Sequence, residues 1–335
     1  MMRGVLMCLL SAAAFVWSPR AQATTVCTAT TTPLVFPAAG IAPSESTATV
    51  TITCNTFALS VVAYARVRMC LSLDGGSLTP AQITPRRMQN GFGDPLDFQI
   101  FRDPARSQVW GGPLASGNTG PVQIDLTYPV PVLGGSATAT ATLYGRVPAQ
   151  PGAASGTFTN TFSASNATLS YRYVEPLLLT SPYPASCTTG GVGGGTTGFG
   201  FTASASVPSR CTLSTATNLE FGSVPGTILS NRDETSAVTF TCTNRTAWNV
   251  GLDNGLHAAG AIRRMRRGST SDYVRYELYR DEPRNLRWGT TTGSDTAAGT
   301  GTGASQSVTV YGRVPSGQTV PAGSYTDTVT VTVTY

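Results

Sequence analysis

The chain has 335 residues, 41% of them apolar and only 12% charged, against about 25% charged in an ordinary soluble domain. All its basic residues are arginines, scattered along the chain with a net charge of +5, so no basic tract points to nucleic acid. The single histidine, His257, excludes His-rich metal sites and any Ser/His/Asp or Cys/His centre in the first half, and no cofactor is expected.

At the N-terminus, Arg3, an apolar run over residues 5–17 and the small-residue site Ala21-Gln22-Ala23 predict a secretory leader over residues 1–23. The run is too short to span a bilayer, and no later stretch reaches the roughly 18 apolar residues that spanning needs, so no membrane span is expected. Export would leave six cysteines, Cys27, Cys54, Cys70, Cys187, Cys211 and Cys242, an even number that predicts disulfides. Across the whole chain, 36 glycines and 22 prolines punctuate stretches rich in Thr, Ser, Ala and Val, a composition of short strands and turns. Alternation of period two over residues 48–53, 59–73, 137–147 and 325–335 supports that reading.

Two halves carry the same landmarks in the same order. Cys27, Leu34-Val35-Phe36 and Cys54 answer Cys211, Leu219-Glu220-Phe221 and Cys242. Arg86-Arg87-Met88 answers Arg263-Arg264-Met265, and Trp110-Gly111 answers Trp288-Gly289. Tyr144-Gly145-Arg146-Val147-Pro148 returns unchanged as Tyr311-Gly312-Arg313-Val314-Pro315. The fold class read from this is all-β: two tandem antiparallel Ig-like β-sandwich domains, the second lacking its final strand. The repeat selects Cys27–Cys54 and Cys211–Cys242 as pairs, which leaves Cys70 for Cys187. Residues 24–173 form the first domain and 208–335 the second, joined by a linker over 174–198 with its prolines and glycine tract.

The early Cys, Leu219-x-Phe221-Gly222, Cys242, Tyr276 to Asp281, Trp288-Gly289, Tyr311 to Pro315 and the closing G-x-Y-x-D-x-V-x-V strand together resemble the spore coat protein U family. The resemblance implies a pilin-like sandwich that lacks a strand and receives one from a neighbouring subunit. Its members include subunits of archaic chaperone-usher pili, and a two-domain member looks like a tip adhesin. The implied partners are a periplasmic pilus chaperone, an outer-membrane usher and the next pilin subunit, with display on the cell surface. A shaft or coat subunit and a lectin-like tip are the alternatives.

Only three residues stand between the expected cleavage site and Cys27, too few for an outgoing donor strand. Residues 199–207 alternate at period two, and Phe199, Phe201, Ala203, Ala205 and Val207 make them a candidate donor strand to the first domain. Three turns of the first domain are apolar where the repeat is polar. They supply Pro37, Ala39 and Ile41, then Phe92 and Leu96, then Val130, Val132 and Leu133 as candidate surface-binding residues. Strict alternation of strand direction would put all three turns at the pole away from the second domain. The arginines at 263, 264, 266 and 267 read as a solvated strand end, and His257 beside Asp253 lacks a nucleophile motif, so no enzyme is expected.

Overall fold

The computed structural model describes residues 23–57, 64–112, 119–176 and 181–335. The first 22 residues of the expected leader and the start of the strand expected from Leu59 lie outside them. Among the described residues there is no α-helix. The first domain contains β1 (Thr24–Thr31), β2 (Leu34–Phe36), β3 (Ser44–Phe57), β4 (Tyr64–Leu73), β5 (Arg86–Gln89), β6 (Pro95–Phe101), β7 (Val122–Pro129), β8 (Gly135–Val147), β9 (Gly156–Phe162), β10 (Ala167–Val174), β11 (Gly193–Gly198) and β12 (Phe201–Val207). One sheet has the order β1-β3-β8-β6-β5-β9-β12-β2 and the facing sheet β11-β10-β4-β7. Period-two alternation builds the core between them. In β3, for example, Ala48, Val50, Ile52 and Cys54 point inward and are buried, while Thr49 and Thr51 face out.

The second domain repeats the plan with β13 (Cys211–Ala216), β14 (Arg232–Cys242), β15 (Ala247–Leu252), β16 (Arg263–Arg267), β17 (Tyr273–Tyr279), β18 (Ala297–Thr300), β19 (Ser305–Val314), β20 (Tyr325–Thr326) and β21 (Val331–Thr334). Its sheets are β13-β14-β19-β17-β16-β20 and β18-β15-β21. Each domain has its own apolar core. Disulfides join Cys27 to Cys54, Cys70 to Cys187 and Cys211 to Cys242. The first and third pin neighbouring strands. The second closes a sequence separation of 117 residues, worth about 5 kcal/mol in the chain-entropy model against about 3 for a short loop.

Two recurring motifs have physical reasons. The glycine of Tyr-Gly-Arg-Val-Pro permits close packing, since a Cβ on Gly145 would lie 2.6 Å from the Phe36 ring and one on Gly312 2.7 Å from Leu219. The first arginine of Arg-Arg-Met is a core clamp. Arg86 is fully buried and donates to Asp74 O and Trp110 O, each at 2.6 Å, to Leu73 O at 3.3 Å and to Gln99 Oε1 at 2.6 Å. Arg263 does the same for Leu252 O, Asp253 O and Trp288 O, with Glu277 as its carboxylate partner. Arg263 is therefore interior, not part of a solvated strand end. Burial lowers both guanidiniums, Arg86 to about 9, which still leaves it charged at neutral pH.

Two of the apolar turns lie at the end facing the second domain, one because β2 runs parallel with β12 and the other because strand directions do not alternate strictly. The pairings run β4 and β5 both toward the second domain, and β6 and β7 both away from it, with each of these two connections also crossing between sheets. Since β2 runs beside and parallel to β12, the 37–43 turn lies where β12 leaves for the second domain: Ala39 N donates to Ser206 O at 2.8 Å and Gln150 N to Gly40 O at 2.6 Å. The Phe92 turn lies at the same end. There Arg245, held at φ 63°, forms a two-point ion pair with Asp94, at 2.5 and 2.8 Å, and its guanidinium stands 5.2 Å from the Phe92 ring centroid. Asn244 bridges Ala154 alongside, its carbonyl accepting from Ser155 N at 2.8 Å. Only the 130–134 turn lies at the far pole.

Two outcomes test this description. Arg86→Met should cost about 3–5 kcal/mol in denaturant unfolding, because it strands three buried carbonyls. Arg245→Ala should instead leave the melting curve unchanged and enlarge the radius of gyration in solution scattering as the domains come apart; an unchanged radius would show that the pair does not hold them.

Candidate functional site

The difference between the two domains that bears on assembly lies in one segment. In the first, residues 193–207 run antiparallel to residues 156–174 across both sheets: β12 lies between β9 and β2, pairing antiparallel with β9 and parallel with β2, while β11 pairs with β10. Phe201, Ala203, Ala205 and Val207 point inward and are buried. Phe201 stacks on Phe162 with centroids 4.5 Å apart and ring planes 3° from parallel. Phe199 lies outside β12, in the step between sheets, yet is buried and donates its N–H to Ala167 O. The glycine tract is a strand, not a linker: Gly193 and Gly195 face Tyr173 and Tyr171, whose rings lie over them.

In the second domain the described residues offer no strand at the place of β12 or of β11. The consequence shows in burial. Leu34 and Phe36 are 0% and 1% exposed, but their counterparts Leu219 and Phe221 are only half-buried and form no strand. Phe158 and Phe162 are fully buried, whereas Tyr325 and Val329 are half-buried, and pairing is lost over residues 327–330. An apolar groove thus opens between β20, the edge of its sheet, and residues 219–221, with no strand between them among the described residues.

One wall of the groove carries charge. Asp327 stands at the register position of Asn160 and is 2% exposed in its side chain. Its Oδ2 accepts from Tyr276 Oη at 2.7 Å, and its Oδ1 accepts from the backbone N of His257 at 3.1 Å and lies 3.0 Å from Nδ1. Burial, reinforced by this carboxylate, pushes the Tyr276 phenol well up. His257 therefore partners Asp327 rather than the neighbouring Asp253, a contact across 70 residues that sequence proximity does not show.

The eight candidate surface residues separate into three sets. Ala39, Leu96 and Val130 are buried, because each occupies an inward position beside or within a strand: Leu96 continues the alternation of Phe98 and Ile100, and Val130 follows inward-facing Tyr128. Pro37, Ile41 and Phe92 are exposed but lie at the end facing the second domain. Val132 and Leu133, both 79% exposed, stand at the far pole with Phe57 at 66%. Leu133 is held at φ 84° in a four-residue turn closed by Gly134 N donating to Pro131 O at 3.0 Å. A bulky residue at positive φ is a costly placement, in a turn position that glycine ordinarily fills.

Comparison with known proteins agrees with the repeat. The Spore Coat Protein U domain matches residues 12–165 and again 196–332. Protein U of Myxococcus xanthus is 40% identical over 107 residues, which is 30% of this chain and 59% of that protein. Among solved structures, the CsuC–CsuE chaperone–tip adhesion subunit pre-assembly complex from archaic chaperone-usher Csu pili of Acinetobacter baumannii aligns with 15% identity and a TM-score of 0.45, over 92% of this chain and all of that one. A chaperone–tip adhesin complex of CFA/I fimbriae aligns with 10% identity and a TM-score of 0.33, over 90% and 96%. With both halves matched by the same domain, the chain belongs to the Spore Coat Protein U domain family.

Proposed function

We propose that the chain is the tip subunit of an archaic chaperone-usher pilus. Its first domain would meet the surface, and its second would join the fibre by accepting a strand. The observation that carries this reading is the asymmetry of completion: residues 193–207 close the first domain from within the chain, and the described residues of the second domain include no matching segment. A periplasmic chaperone would cover that groove before assembly, the usher would export the subunit, and a segment of the next pilin would replace the chaperone. The role is binding and assembly, not catalysis.

The contact surface is the far pole of the first domain, formed by Val132, Leu133 and Phe57. Three exposed apolar side chains inserted into an apolar surface supply several kcal/mol at about 25 cal/mol per Å². Many tips on one cell multiply that through avidity. Strain concentrates at sites where function demands it, and Leu133 is such a position.

Two measurements check the reading. The chain purified alone should aggregate, and co-expression with the cognate chaperone should yield a soluble one-to-one complex; a stable soluble monomer without a partner would remove the open groove from the account. Leu133→Gly should leave the melting temperature unchanged or raise it, since it relieves roughly 1 kcal/mol of backbone strain, while lowering attachment to polystyrene. Combined with Val132→Ser and Phe57→Ser it should abolish attachment. Retained attachment, or binding to glycans instead, would move the contact surface elsewhere.

A further inference from the structure

Because the first domain holds its own complementing segment, its register is a template for what the groove of the second accepts. The inference below rests on the strand-acceptor reading above. In the first domain Val207 stands opposite Gly156 through to Phe201 opposite Phe162, and then Gly198 opposite Thr168 through to Gly195 opposite Tyr171. Between these two runs the acceptor spends five residues, 163–167, on a turn, and the complementing segment spends two, Phe199 and Gly200.

Equivalent positions in the second domain are fixed by two independent contacts. Trp110 Nε1 donates to Leu71 O, and Leu71 pairs with Leu169; Trp288 Nε1 donates to Val250 O, and Val250 pairs with Val333. Val333 therefore stands where Leu169 stands, and Tyr335 where Tyr171 stands. Further upstream Gln89 pairs with Thr159 as Arg266 pairs with Thr326, so Val329 stands where Phe162 stands. Between Val329 and Thr332, the counterparts of Phe162 and Thr168, there are only two residues, Thr330 and Val331. The second domain thus lacks the three-residue excess of the first, and a strand spaced like residues 195–207 pairs with residues 323–335 in unbroken register.

In that register the residue taking the place of Gly195 falls opposite Tyr335. In the first domain a Cβ on Gly195 would come 2.9 Å from Tyr171 Oη and 3.1 Å from its Cζ, so the tyrosine ring lies directly on the glycine backbone. Tyr171 is 6% exposed, while Tyr335 is 60% exposed. We propose that the segment filling the groove is an extended strand of another polypeptide carrying glycine opposite Tyr335. The ring of Tyr335 closes over that glycine, as an aromatic side chain covers a cross-strand glycine elsewhere in β-sheets. A residue with a Cβ at that position would hold the ring off and leave the end of the groove open.

The test uses the full chain with its disulfides intact, unfolded in guanidinium chloride and refolded with synthetic peptides. The parent peptide has the sequence of residues 193–207, GGGTTGFGFTASASV. One variant replaces Gly195 by Val, facing the ring, and a control replaces the neighbouring outward-facing Thr196 by Val. The parent and control peptides should bind alike, and the Gly195→Val peptide should bind about tenfold more weakly or worse, the scale of a steric overpacking cost. Valine favours the strand conformation over glycine, so the loss would not come from β-propensity. On the Tyr335→Ala chain the difference between parent and Gly195→Val peptides should disappear. Equal binding of parent and Gly195→Val peptides to the unmodified chain would overturn the glycine requirement while leaving the acceptor reading intact, and so would a difference that survives in Tyr335→Ala. Failure of every peptide to bind would overturn the acceptor reading itself, and the requirement with it.

Discussion

The structure turns on the pairing of residues 193–207 with residues 156–174. One segment supplies the seventh strand of one sheet and the edge of the other, so it satisfies backbone groups along a whole acceptor strand and seals the core behind it. Where it is present, Leu34, Phe36, Phe158 and Phe162 lose essentially all contact with water. Where its counterpart is absent, the equivalent side chains stay half-wet and the acceptor strand breaks between Thr326 and Val331. Full burial of a side chain of this size is worth about 1.5–3 kcal/mol. Under the strand-acceptor proposal, filling the groove would therefore contribute to folding of the second domain as well as to association.

Beside the apolar core and the disulfide, each sandwich has a further tie independent of that strand, the buried arginine. A guanidinium presents five donors in a fixed plane, enough to gather the carbonyls that end one strand and follow the tryptophan of another. Arg86 and Arg263 do this at the same point of the repeat, and the indole N–H of Trp110 or Trp288 ties the same region to the facing sheet at 2.8 Å. The second domain adds an ion pair, with Glu277 set between Arg263 and Arg287, where the first uses neutral Gln99. A clamp of this kind keeps the sandwich together while one of its grooves is open.

Much of this was legible in the sequence, for definable reasons. Order and spacing of landmarks give the repeat, and hence the disulfide partners, while period-two alternation marks out β12. The far ends of strands are less legible. Ala39, Leu96 and Val130 sit in stretches that look like turns, yet each takes an inward position in the alternation, and a one-residue difference in where a strand begins decides which face a side chain occupies. The glycine tract at 193–195 has the composition of a flexible linker, and only the rings of Tyr171 and Tyr173, some 20 residues earlier, show why side chains are excluded there. Direction failed at the β4–β5 and β6–β7 connections, which cross between sheets without reversing the strand and which sequence periodicity does not distinguish from hairpins.

The corrected directions carry a last consequence for polarity. In the first domain β9 starts at the end facing the second domain and the acceptor strand runs away from it. The Asn244–Arg245 turn, which follows β14 as the far-pole connection follows β3, touches the base of the first domain, so the two domains stack in the same sense. Residues 325–335 consequently run toward the first domain. A strand antiparallel to them would run the opposite way and leave at the far end of the second domain. The body that donates it would lie beyond that end, in line with the two domains and opposite to Val132 and Leu133. Stacking of the domains in one sense, fixed by Arg245 and Asp94, thus sets the groove's exit and the strained apolar turn at opposite ends of the molecule.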